Sequence, residues 1–70
     1  MNMQKPYFIS SASTEAIAYR NTLIEKFGSF TTNECDVIVV LGGDGFMLEA
    51  IKDHLELNLP IFGLNFGSVG

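Results

Sequence analysis

The sequence has no tryptophan, one cysteine (Cys35), one histidine (His54) and only four Lys or Arg residues in 70. One thiol makes no disulfide, and one thiol with one imidazole makes no structural zinc site, so nothing here staples a mini-protein together. Eight Asp or Glu leave a net charge of −4. That scarcity of positive charge excludes a nucleic-acid face, which needs cations against the phosphate backbone, and disfavours an anionic membrane surface. No apolar run approaches the roughly 20 residues of a membrane span. The opening MNMQKPYFIS lacks an apolar stretch followed by a small-residue cleavage site, so no secretory signal is expected. A lone cysteine fits a reducing compartment, and a cytoplasmic protein is expected.

What is present is an ordinary core composition, 47% hydrophobic. A chain near this size buries only about 60% of the surface of its unfolded form. Residues 1–70 therefore read as a single α/β domain that is one portion of a larger protein.

Along the chain, Tyr7-Phe8-Ile9 is a short β-favouring run after Pro6. Ser10 to Thr14 offers several helix-capping side chains. From Thr14 to Phe27, Ala16, Ile17, Leu23, Ile24 and Phe27 recur at helical spacing, with Glu15 in the first turn, Lys26 in the last and Gly28 just beyond. Gly28 to Cys35 is a polar connection. Val37-Ile38-Val39-Val40-Leu41 does not alternate with polar residues, so both faces are expected to be buried, as in the central strand of a parallel sheet covered on both sides. A second helical pattern carries Met47, Leu48, Ile51 and Leu55, closed by Asn58 and Pro60. Ile61-Phe62-Gly63-Leu64 reads as a third strand. The alternation predicts a three-layer βαβαβ unit with a parallel sheet and right-handed crossovers.

In open parallel sheets ligands bind beyond the carboxyl ends of the strands. Two glycine-rich segments fall there, Gly42-Gly43-Asp44-Gly45 and Asn65-Phe66-Gly67-Ser68-Val69-Gly70. A glycine-rich turn entering a helix presents backbone N–H groups and a favourable dipole to phosphate. A Walker A loop requires a Lys that is missing here. The dinucleotide fingerprint fails because Leu48 stands where its third glycine belongs, and no acidic residue follows about 20 residues on. A receiver domain wants acids where Ser10-Ser11 stand and an Asp in place of Asn65. What remains is strand-G-G-D-G-helix. Asp44 is hard to explain as plain phosphate binding, because a carboxylate repels phosphate. It fits phosphoryl transfer as a proton acceptor, an orienter of a hydroxyl or a support for phosphate-bound Mg²⁺. The structural alternative is that Asp44 merely N-caps the second helix. His54 is expected to serve the helix end, Cys35 and the phenylalanines to pack, and Glu49 and Lys52 to form a solvated face.

Leu41 to Leu48 resembles the G-G-D-G signature of the NAD kinases, shared more loosely with diacylglycerol and sphingosine kinases and 6-phosphofructokinases. Gly63 to Gly70 resembles the G-x-N-x-G-x-x-G segment found one βα unit later in bacterial NAD kinases, and this second motif selects among them. The resemblance implies the N-terminal part of a two-domain fold that phosphorylates the adenosine ribose 2′-hydroxyl of NAD with ATP and a divalent cation such as Mg²⁺. It implies Asp44 as the catalytic proton acceptor and Gly42, Gly43, Asp44, Gly45, Leu48, Asn65, Phe66 and Gly67 as nucleotide-binding residues, with Gly70 shaping the second loop. It implies no protein-held metal, and a homo-oligomer in the full-length form. Phe46 departs from the family, standing where many members carry Thr, so a hydroxyl that could cap the helix or touch phosphate is missing. The family's later N-E/D motif and β-rich C-terminal domain lie outside these 70 residues, so no kinase activity is expected from them alone. A diacylglycerol-type lipid kinase and a non-catalytic nucleotide-binding domain are the alternatives.

Overall fold

A computed structural model describes residues 4–66. The elements run β1 (Pro6–Ser10), α1 (Thr14–Phe27), β2 (Val37–Gly42), α2 (Asp44–Asp53), a 3₁₀ turn (Leu55–Leu57) and β3 (Ile61–Asn65). Both strand pairs are parallel, in the order β1-β2-β3. The register sets Phe8 beside Val39 and Val39 beside Phe62.

The apolar run of β2 takes the central position its composition demands. Ile38, Val40 and Leu41 are fully buried, each contributing roughly 1.5–3 kcal/mol relative to exposure. One face of the sheet carries Tyr7, Ile9, Ile38, Val40 and Ile61, against which α2 packs Phe46, Met47 and Ala50. The opposite face carries Phe8, Val39 and Phe62, with Leu23 and Phe27 of α1 beside them. Arg20 of α1 donates from Nη1 to Ser10 Oγ at 3.1 Å on that same side.

The three-layer arrangement follows, but two right-handed crossovers do not. With the strands in sequence order and the helices on opposite faces, the two connections have opposite hands. The cause lies in β2. Helices on one face only would leave either Ile38 and Val40 or Val37 and Val39 bare.

Helix α1 has the expected limits. Ser13 caps it through Oγ, which accepts from the Ala16 amide at 3.1 Å, and Gly28 ends it at φ 86°. Helix α2 stops earlier than its apolar spacing suggests. Leu55 belongs to the separate 3₁₀ turn, which Asn58 closes in a left-handed conformation (φ 54°). Leu48 and Leu55 are each 62% exposed, because Phe46, Met47 and Ala50 form the stripe that meets the sheet. Phe62 and Phe27, expected to be packed, are half exposed. They line an apolar cleft of about 690 Å³ between α1 and the β3 side of the sheet.

Asp36 anchors the start of β1. Its carboxylate accepts from the amides of Gln4 and Lys5, each at 2.9 Å. Desolvation pushes this carboxyl up, but the Lys5 and Gln4 amides, its own amide and the Lys5 charge outweigh it and hold it below its ordinary value. A lowered carboxyl stabilises the fold above its unfolded pKa of about 3.9, and that stabilisation is lost as pH falls through the folded value. Replacing Asp36 with Ala is therefore expected to lower the thermal midpoint at neutral pH. The gap from the parent chain should close in melts below about pH 4. A gap that does not change with pH would contradict the anchor.

Candidate functional site at the carboxyl ends of β2 and β3

Strand β2 passes into α2 with a single residue between them. Gly43 is the N-cap in extended conformation (φ −85°, ψ 179°) and gives no side-chain cap bond, so Asp44 is the first residue of the helix rather than its cap. The first intrahelical bond runs from the Met47 amide to the Gly43 carbonyl at 2.9 Å. The amides of Asp44, Gly45 and Phe46 precede it, where helices leave donors without helical acceptors.

The Asp44 side chain is exposed and reaches sideways across the sheet. Its Oδ1 accepts a hydrogen bond from Asn65 Nδ2, a residue 21 positions away. Gly42 pairs with Asn65 in the register of β2 and β3, and the Phe66 amide continues the ladder to the Gly42 carbonyl at 2.9 Å. The two sequence motifs thus meet at one edge. The capping account of Asp44 fails on this geometry.

The glycines differ in what they leave room for. A Cβ on Gly42 would stand 2.7 Å from Phe46 Cδ2 and 3.2 Å from Ser11 Cβ. Phe46 therefore packs over the strand end. A Cβ on Gly45 would meet nothing within 4 Å. Leu48 lies one helical turn beyond Asp44, so the two share a side of α2, and Leu48 is largely exposed there.

Phe66 packs edge-on against Tyr19 of α1, with ring centroids 5.5 Å apart. Tyr19 was not a candidate from the sequence, because it falls outside the apolar stripe of its helix. Gly67 and Gly70 lie outside the described residues. His54 sits at the end of α2, its Nδ1 2.8 Å from the Ala50 carbonyl oxygen and its ring 6.0 Å from that of Tyr7, which makes it a helix-end residue. Cys35 is half-buried beside the core. Burial raises its thiol, its own amide lowers it and the Asp36 charge raises it further, a net rise that disfavours the reactive thiolate. Among the described residues no group of three His, Cys, Asp or Glu comes together to hold a metal ion. No helix among them is long and apolar enough to cross a membrane.

A parallel α/β sheet with a G-G-D-G turn and an exposed carboxylate at the strand ends defines an α/β domain of the class that binds ligands at that edge. The chain matches the family model described as the ATP-NAD kinase N-terminal domain over residues 2–70, and it belongs to that family. It is 42% identical over 64 residues to an NAD kinase of Brucella suis biovar 1, covering 91% of this chain and 25% of that relative. It is 41% identical over 63 residues to one of Xanthomonas oryzae pv. oryzae, covering 90% and 24%. With one of Cereibacter sphaeroides it shares 37% identity over 70 residues, covering 100% and 28%. The chain thus spans about a quarter of the length of the curated relatives it matches. No solved structure is a significant match.

Substituting the two contrasting glycines separates their roles. Gly42→Ala is expected to destabilise the fold by about 1–3 kcal/mol, because the added methyl meets the Phe46 ring. A Gly42→Ala/Phe46→Leu pair should recover part of the loss, seen as favourable coupling in a double-mutant cycle of denaturant melts. Gly45→Ala, a helical position with open space, should instead stabilise by up to about 1 kcal/mol.

Proposed function

We propose that this chain is the part of an NAD kinase that carries the catalytic carboxylate, and that the enzyme transfers the γ-phosphoryl group of ATP to the adenosine ribose 2′-hydroxyl of NAD. The observation that carries the reading is the Asp44 carboxylate, exposed at the strand ends and bonded across the sheet rather than to its own helix. The family match over residues 2–70 supplies the reaction, and the named relatives are NAD kinases. A lipid-kinase reading gains nothing from either.

In this mechanism the bond from the γ-phosphorus to ADP breaks as the bond to the ribose 2′-oxygen forms. The hydroxyl proton moves to Asp44. An exposed carboxylate suits that task, since a group within hydrogen-bond reach of the hydroxyl can accept its proton as the oxygen attacks. Positioning does most of the remaining work in phosphoryl transfer. The first-turn amides of α2 are suited to a phosphate or ribose oxygen, and the open space at Gly45 admits the nucleotide close to the backbone. Leu48 would form an apolar wall one turn further along. A divalent cation would neutralise charge on the ATP phosphates. It would travel with the nucleotide, bound to the phosphate oxygens. The reading also implies small-molecule nucleotides as the ligands, a cytoplasmic setting and a homo-oligomer at full length, each of which stands as a proposal.

The test is Asp44→Asn in a kinase of full family length carrying this segment. Turnover is expected to fall by about 10²–10⁴-fold, the usual worth of a general base, with NAD binding retained. A variant that keeps its rate would refute the assignment. Gly45→Ala should weaken nucleotide binding in calorimetric titration, although it stabilises the fold.

A further inference from the structure

The most specific contact at this edge that the reaction scheme leaves without a purpose is the bond between Asn65 and Asp44. We infer that Asn65 is a positioning residue, which fixes the Asp44 carboxylate through Oδ1 and leaves Oδ2 as the atom that takes the hydroxyl proton. This inference rests on the proposed phosphoryl transfer and assigns Asn65 a task other than touching the nucleotide.

Three observations support it. First, Asn65 Nδ2 donates directly to Asp44 Oδ1. An amide nitrogen donates without carrying charge or competing for the proton, so it can orient the carboxylate without neutralising it. Second, both residues leave the sheet at adjacent strand ends. Gly42 pairs with Asn65, and the Phe66 amide closes the ladder on the Gly42 carbonyl at 2.9 Å. The donor is therefore held by backbone pairing rather than on a loop. Third, Asp44 is the first residue of α2 rather than its cap, so capping does not fix its carboxylate, and its bond to Asn65 comes from the neighbouring strand. An exposed aspartate on the first turn of a helix has several rotamers open to it, and a cross-strand donor selects one.

A carboxylate that accepts at Oδ1 has one oxygen committed and one available, which converts a rotating acid into an aimed base. Misplacement of a reacting group by about 1 Å can cost on the order of 100-fold in rate. Losing the donor should therefore act on turnover and not on substrate affinity.

The experiment compares Asn65→Ala and Asn65→Asp with Asp44→Asn and the Asn65→Ala/Asp44→Asn pair in a kinase of full family length. Each Asn65 variant is expected to lower kcat by about 10- to 100-fold while KM for NAD stays within about twofold. In the Asp44→Asn background the Asn65→Ala change should cost little more, because the two residues act as a unit. A raised KM with kcat retained would overturn the inference in favour of a direct nucleotide contact. So would a full additional loss in the double variant. Normal turnover in Asn65→Ala beside an inactive Asp44→Asn would remove the positioning role alone, whereas normal turnover in Asp44→Asn would remove the base itself. NMR of the unsubstituted kinase of full family length gives a readout that needs no variant to fold. A through-hydrogen-bond coupling between Asn65 Nδ2 and Asp44 Cγ is expected, and a freely rotating Asn65 amide would overturn the inference.

Discussion

At the ends of β2 and β3 the Phe66 amide donates to the Gly42 carbonyl, one step beyond the last paired residues of the strands. Everything proposed for this site depends on that parallel ladder. It sets Asn65 beside Gly42, and Gly42 is two residues from Asp44. A slip of one residue between the two strands would turn Asn65 to the opposite face. The apolar face of β3 resists such a slip, since it would move Ile61 away from the core of Ile38, Val40 and Ala50. The geometry of an exposed polar pair is thus guaranteed by apolar packing several residues away.

The helix that follows shows how a tight junction serves chemistry. A longer loop, or a capping side chain at position 43, would supply local partners for the first-turn groups of α2. A glycine cap leaves them to other partners, and the acid is then oriented by a neighbouring strand. Phe46 covers the same junction with a ring that only a glycine at position 42 admits. The helix start is thus held by a packing contact between Phe46 and the end of β2.

Away from this edge, α1 and β3 leave an apolar cleft between them, lined by Phe8, Val39 and Phe62 among others. It offers little polar chemistry, and its aromatic lining has the character of a core face rather than of a catalytic pocket. A domain of this size leaves a sizeable part of its surface open, and the chain spans about a quarter of the length of the relatives it matches.

The sequence by itself determined the elements and the family. The uninterrupted β-branched run of β2, the capped apolar stripe of α1 and the two glycine-rich motifs are local patterns, and local patterns survive without coordinates. It also marked Asp44 and Asn65 as site residues. Only the tertiary structure decided how they meet. Whether Asp44 caps its helix depends on where the helix begins, a difference of one residue that propensity does not resolve. The partnership with Asn65 spans 21 positions and exists only once the strands are in register. The exposure of Leu48, the pairing of Tyr19 with Phe66 and the opposite hands of the two crossovers were hidden for the same reason. Each depends on which face of the sheet a helix covers, and that choice is made by packing energy summed over the whole domain, not by any segment alone.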